Sequence, residues 1–169
     1  MVRKVLPLVV LAVLSVSAAA RSGEPPAVQQ GPTGQSEHVR KGVGHFERAF
    51  YELTPQKRDR EASAEFEQAI AEFEREVSRQ PSSAVAHAYL GRIYSLRKDF
   101  RRSAAHYDRL SEIEPLNVDA CVLAALAYGE LRDVAQASAR LEAARLRTSD
   151  PDVLARLAEY RERLARLKR

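Results

Sequence analysis

Apolar residues recur at helical spacing along the chain from Ser36 onward. In the segment AVAHAYLGRIYSLRKDF the apolar side chains stand three and four positions apart, which is typical of one face of an amphipathic helix. The final segment, LARLAEYRERLARLKR, carries leucines along one face at positions 154, 157, 164 and 167. Aromatic residues make up only 7% of the chain, which favours helix over sheet. The pattern predicts an all-α fold for residues 36–169.

The helical pattern repeats with a period of 34 residues. When residues 84–115 are set against residues 118–149, Gly91 meets Ala125, and the tyrosine three residues further on is matched in both copies. A period of this length is typical of arrays of helix–turn–helix units, in which each unit buries its apolar face against its neighbours.

The segment LGRIY, followed by Ser103, Tyr107 and Pro115, resembles a tetratricopeptide repeat. Such a repeat carries a large–small–x–x–Tyr group on its first helix, then small, aromatic and proline residues at fixed later positions. The resemblance implies a short α-solenoid of helix–turn–helix repeats that ends in a capping helix. It covers repeats at about 38–81, 84–117 and 118–149, with the capping helix at 151–168.

The first of these repeats is degenerate. Phe73 and Pro81 match Tyr107 and Pro115, so its second helix follows the pattern. Its first helix is harder to place, because GVGHFERAFYEL lies too far upstream and the polar stretch TPQKRDREA intervenes. We expect a lengthened loop between the two helices of this repeat.

Gly91 stands inside an expected helix, where a glycine costs about 1 kcal/mol relative to alanine. Two antiparallel helices approach closely only where one side chain is minimal, so Gly91 and Ala125 are expected to face the second helix of their repeats. The expected helix caps are Ser82 or Ser83, Asp99, Asn117 and Asp133.

Residues 1–20 have the three-part pattern of a secretory signal peptide. Two basic residues precede an apolar run from Val5 to Ala20, which is shorter than the roughly 20 residues of a membrane-spanning helix and ends in the small residues of a cleavage site. We expect cleavage after Ala20 and a secreted or periplasmic protein, with an uncleaved membrane anchor as the alternative. Residues 21–35 are rich in proline and glycine and are expected to form a flexible linker.

Cleavage would change the charge of the protein, because it removes two basic residues and no acidic one. The formal net charge would fall from +4 to +2. The remaining chain shows no strong basic stripe of the kind that binds nucleic acid, so no nucleic-acid partner is expected.

Few residues offer catalytic or metal chemistry. The chain has four histidines and one cysteine, and it has no phosphate-binding glycine loop and no nucleophile elbow. Cys121 and His87 fall at helix-packing positions and are expected in the core, whereas His106 is expected to face solvent. His38 and His45 are seven residues apart, but no further ligand completes a metal set. We expect no enzyme activity, no cofactor and no metal.

The inner surface of such a solenoid is lined by the first helix of each repeat, and concave surfaces of this kind usually bind a segment of another protein. The sequence therefore predicts a largely apolar groove for a peptide or protein partner. The residues expected to line it are Val85, Tyr89, Arg92, Leu96, Val122, Leu126 and Glu130. The alternative is that part of this stripe packs between repeats.

The last helix suggests a second functional hypothesis. From Arg156 onward it carries six lysine or arginine residues against two glutamates. A capping helix presents such a face to solvent, and the same face suits an acidic partner or phospholipid head groups. The chain would then be a membrane-associated structural adaptor, held by this helix or by an uncleaved N-terminus.

Overall fold

Capping residues and tight turns divide residues 35–167, the part of the chain that the computed structural model describes, into seven α-helices and one π-helical segment. The helices are α1 (Glu37–Glu47), α2 (Asp59–Arg79), α3 (Ala84–Leu96), α4 (Phe100–Ile113), α5 (Val118–Glu130), α6 (Val134–Leu146) and α7 (Pro151–Leu167). The π-helical segment, Arg48–Leu53, continues α1. No strand occurs in this part of the chain. The expected signal peptide and most of the expected linker lie outside it.

The helices pack in chain order as three hairpins, α1–α2, α3–α4 and α5–α6, and α7 packs against α6. Buried Phe46 and Phe73 join the first hairpin to α3. Leu157 and Leu164 of α7 close the apolar cluster of the last hairpin, as expected of a capping helix. The all-α helical-repeat fold predicted from the sequence is confirmed.

Side-chain caps begin the helices of the second and third hairpins. Ser83 and Asn117 precede the first helices, and Asp99 and Asp133 precede the second helices. Each side chain accepts a hydrogen bond from the backbone N–H three residues further on, at 3.0 to 3.4 Å. These bonds satisfy N–H groups that have no partner inside the helix, so the predicted caps are confirmed.

The turn between the two helices of every hairpin is built in the same way. Lys57, Lys98 and Arg132 each adopt the left-handed conformation, with φ of 57°, 61° and 57°. In each turn the N–H after this residue donates to a carbonyl five residues back, at 2.9 to 3.1 Å. This bond closes the end of the first helix. The first hairpin thus shares its turn geometry with the other two.

Glycine lets the two helices of a hairpin approach closely. A Cβ atom on Gly91 would lie 2.8 Å from the Tyr107 ring, and one on Gly42 would lie 2.9 Å from the Phe73 ring. Ala125 takes the same position in the third hairpin, where it packs in one cluster with Leu141 of α6. The packing role predicted for Gly91 is confirmed, and Gly42 is its counterpart in the first repeat.

The first hairpin is longer than the other two. Phe73 follows Gly42 by 31 residues, whereas Tyr107 follows Gly91 by 16, and yet the two pairs make the same contact. Measured from the turn at Lys57, seven of the extra residues lengthen α2, six lengthen α1 with its π-helical continuation, and two lie in the connection. Seven residues are about two α-helical turns. The π-helical segment ends the lengthened first helix with turns wider than those of an α-helix.

The lengthened loop expected for this repeat accounts for only two of the extra residues, and the others extend the helices. The connection covers residues 54–58, while the turns of the other two hairpins cover residues 97–99 and 131–133. The polar stretch TPQKRDREA is divided between this connection and the first turn of α2, which begins at Asp59. Extending both helices keeps their backbone hydrogen bonds, which a long loop would leave to water.

A tyrosine–carboxylate hydrogen bond joins each hairpin to the next. The Tyr94 hydroxyl donates to Glu74 at 2.9 Å, and the Tyr128 hydroxyl donates to Asp108 at 2.8 Å. The two acidic residues are 34 positions apart, as are the two tyrosines. At the second junction Arg140 of α6 adds two hydrogen bonds to Asp108, at 2.6 and 2.9 Å.

We expect Arg140→Gln to lower the free energy of unfolding by about 1–2 kcal/mol, because it removes a bidentate ion pair from the partly buried Asp108. Arg145→Gln is the matched control. Arg145 pairs with Glu142 on the exposed face of its own helix, where such a pair contributes about 0.5 kcal/mol or less. Urea unfolding followed by circular dichroism measures both changes. Equal losses in the two variants would contradict a special role for Arg140.

Candidate functional site

Tyr89 and Arg92, two of the predicted groove residues, meet aromatic side chains of the first hairpin. The Tyr89 ring stacks on Phe73, with centroids 4.9 Å apart, and meets Phe46 edge-on at 5.1 Å. The Arg92 guanidinium carbon lies 5.0 Å from the centroid of Phe46 and 4.8 Å from that of Phe50, which is a cation–π geometry. The surface predicted on α3 thus continues onto α1 and its π-helical extension.

We call this surface the aromatic patch; its members are Phe46, Phe50, Tyr51, Tyr89 and Arg92. Phe46 is buried, while Phe50 and Tyr89 are partly buried. Tyr51 is 59% exposed and meets Phe50 edge-on, with centroids 5.0 Å apart. Aromatic and arginine side chains held on a packed base are the groups that protein interfaces favour.

Charged groups border the aromatic patch. Burial raises the pKa of the Tyr89 hydroxyl, the Glu47 carboxylate raises that pKa further, and Arg92 opposes the change. A cation and a carboxylate therefore lie near the same hydroxyl. This surface suits a polypeptide segment that combines apolar side chains with a polar or charged group.

The other predicted groove residues are divided between packing and solvent. Val122 packs against the apolar cluster of the third hairpin and α7, and Leu96 is 41% exposed at the end of α3. Val85, Leu126 and Glu130 are partly buried. Val122 and Tyr89 both contribute to packing between helices. The sequence had left this open as the alternative for part of the predicted groove.

Sequence reasoning missed the members of the aromatic patch on α1, because it phased the first repeat by its second helix alone. A signal was present in the segment KGVGH. Gly42 and His45 stand three residues apart, as Gly91 and Tyr94 do in the second repeat. Phasing on Gly42 would have placed the aromatic residues of FERAFYEL beside α3.

No protein-family model and no curated protein matches the chain. Among solved structures, the N-terminal domain of stress-induced protein-1 (STI-1) from C. elegans is similar to it, with a TM-score of 0.55. The likeness covers 75% of this chain and 98% of that chain at 15% sequence identity. The two share a fold. At this identity the likeness shows the helical-repeat architecture and nothing of the function.

His106 is not on the surface, contrary to the expectation from periodicity. Its ring is partly buried and stacks on Tyr94, with centroids 5.6 Å apart. Its Nδ1 lies 3.0 Å from Nδ1 of His87. His87 is buried, as predicted. The position lies at the border of the buried face of α4, and the partner ring on α3 draws the imidazole inward.

The remaining candidate groups are engaged in packing or pairing. His38 meets Glu72 at 2.7 Å and His45 meets Glu65 at 2.6 Å, both on α2. Cys121 is buried, as predicted. Within residues 35–167, no group of three or more histidine, cysteine or acidic residues is placed to hold a metal ion.

Proposed function

We propose that the protein is a non-catalytic interaction scaffold of the tetratricopeptide kind, which binds a peptide or partner protein along α1, α3 and α5. The aromatic patch carries this proposal: exposed Tyr51 and the Arg92 guanidinium lie above rings that belong to the core. Aromatic and arginine side chains in such settings supply most of the binding energy at protein interfaces. The helical-repeat fold supports the same function, since repeat surfaces commonly bind polypeptides.

The proposal includes export from the cytoplasm. Its support is the signal-peptide pattern of residues 1–20, which lies outside the described residues. Cleavage after Ala20 would leave the linker and the helical domain as a secreted or periplasmic protein. Mass spectrometry of the chain purified from an export-competent host tests this point, and a mass that retains residues 1–20 would contradict it.

Selection of peptides displayed on phage against the immobilised chain tests partner binding. We expect selected peptides to bind at least about tenfold more weakly to the double variant Tyr51→Gln, Leu126→Gln, because it removes apolar contact area from the aromatic patch and from the predicted groove. Neither residue belongs to the buried set, so the variant should retain the fold. Fluorescence anisotropy measures the dissociation constants.

The matched control is the double variant Leu116→Gln, Leu146→Gln. These leucines are 87% and 71% exposed and lie in the α4–α5 connection and at the end of α6. We expect the control to bind like the unmodified chain, with the same helical circular dichroism. Equal weakening in the two double variants, or the absence of any selected binder, would contradict a peptide-binding groove.

The end of α7 favours a second candidate function, a membrane-associated structural adaptor. Arg161, Arg163 and Arg166 are exposed, and such a basic face attracts anionic lipid. None of the helices within residues 35–167 has the length and apolar character needed to span a bilayer. Co-sedimentation with phosphatidylserine vesicles that is lost in about 0.5 M salt, and absent with neutral vesicles, would support this candidate. Equal binding to neutral vesicles would contradict it.

A further inference from the structure

The two junctions between hairpins differ at one repeat position. At the second junction, Arg140 caps the carboxylate of Asp108. The position 34 residues earlier is His106, whose ring turns toward α3. Glu74, the counterpart of Asp108, receives the Tyr94 hydroxyl and forms no ion pair with an arginine of the following helix.

A cleft of about 420 Å³ opens at this place, between α2, α3 and the start of α4. Its other charged side chains are paired with one another: Arg97 with Glu67 at 2.6 Å, and Arg102 with Asp99 at 3.3 Å. Glu74 is the remaining carboxylate, and within residues 35–167 no ion pair joins it to a lysine or arginine. The cleft therefore has an excess negative charge. At the second junction the equivalent carboxylate, Asp108, binds the guanidinium of Arg140.

We propose that this cleft binds an arginine side chain of a partner polypeptide, with the guanidinium seated on Glu74. The second junction supplies the template, since Nε and Nη2 of Arg140 donate to the two oxygens of Asp108. The Arg140 guanidinium carbon also lies 5.8 Å from the centroid of the Tyr128 ring. A planar guanidinium matches a carboxylate with two parallel hydrogen bonds, which an ammonium cannot form.

Arg102 lies at the border of the cleft, where its charge is attracted to Glu74 but forms no ion pair with it. Its guanidinium carbon lies 5.2 Å from the centroid of the Tyr94 ring, and its Nη1 is 3.5 Å from the Tyr94 hydroxyl. Its Nε is paired with Asp99, which holds it toward the turn between α3 and α4. The cleft shares no residue with the aromatic patch, so this inference does not depend on the proposed groove.

The test uses three six-residue peptides that differ at one central position: arginine, lysine, or citrulline, which is the neutral isostere of arginine. Each is titrated into the isotope-labelled full chain, and amide chemical shifts report the site and the affinity. We expect the arginine peptide to shift amides around Glu74 and Tyr94. We expect the citrulline peptide to bind at least about tenfold more weakly, and the lysine peptide to fall between them.

Two variants make the test specific. Glu74→Gln should abolish the difference between the arginine and citrulline peptides. His106→Arg should place an arginine from the chain itself on Glu74 and block the peptide, whereas His106→Gln, the matched control, should leave binding intact. Shifts outside the cleft, equal binding of the citrulline peptide, or unchanged arginine binding by Glu74→Gln would overturn the proposal.

Discussion

Gly91→Val is expected to lower the free energy of unfolding by about 3 kcal/mol or more. A Cβ atom at this position would lie 2.8 to 2.9 Å from three atoms of the Tyr107 ring, and the two γ-methyl groups of valine add further volume. The ring cannot move aside cheaply, because Tyr107 is buried among Leu110, Ala120 and Ala124. Either α3 and α4 separate or the ring leaves its rotamer, and overpacking of this kind costs about 1–3 kcal/mol even for small insertions.

Gly44→Val is the matched control for this prediction. Gly44 is also a glycine inside a helix, but a Cβ atom there would meet nothing within 4 Å. The substitution should change the free energy of unfolding by less than about 0.5 kcal/mol, because valine is a slightly better helix former than glycine. Urea unfolding by circular dichroism measures both variants. Equal effects at the two positions would show that helix propensity, and not contact with Tyr107, determines the cost.

The contacts of Gly91 and Gly42 show how much of the packing the sequence could predict. The 34-residue period aligned Gly91 with Ala125, and helix geometry then implied a close contact at both positions. The same reasoning failed in the first repeat, because most of the extra residues between Gly42 and Phe73 are helical and the contact between these two residues is kept. A period search detects equal spacing, and it cannot distinguish an inserted loop from two helices that lengthen together.

The candidate site was predictable only in part for the same reason. Tyr89 and Arg92 were found because they stand on a well-phased helix. Their partners Phe46 and Phe50 were missed because they stand on the lengthened one. The partial burial of His106 was also not predictable. Periodicity assigns a residue at the border of a helix face to solvent or core from its position alone, and it does not detect a single contact such as the one with His87.

The paired imidazoles of His87 and His106 should make the protein sensitive to mild acid. The Pro81 carbonyl only accepts hydrogen bonds, so Nε2 of His87, 3.2 Å away, carries the proton. Nδ1 of neutral His87 is then an acceptor, and Nδ1 of His106 donates to it at 3.0 Å. Protonation of His87 would place two N–H groups against each other.

The surroundings of this pair disfavour positive charge. Burial lowers the pKa of both imidazoles, and that of His106 falls to about 4, with His87 and Arg102 contributing to the change. For His87, the hydrogen bond to the Pro81 carbonyl opposes this lowering, Arg109 adds to it, and Glu112 opposes it. In the unfolded chain both groups have a pKa near about 6.5. At a pH between the folded and unfolded values, the unfolded chain binds more protons than the folded chain. The stability that the histidine pair contributes is therefore complete above about pH 6.5 and is lost as the pH falls.

The double variant His87→Leu, His106→Phe tests this sensitivity, because it removes both titrating groups and keeps a ring beside Tyr94. Between pH 7 and pH 4.5 the unmodified chain is expected to lose about 2 kcal/mol more unfolding free energy than the variant. The carboxylates that also titrate in this range are common to both chains and cancel in the difference. If the double variant lost as much stability as the unmodified chain, the histidine pair would not be the source of the acid sensitivity, because no other change separates the two proteins.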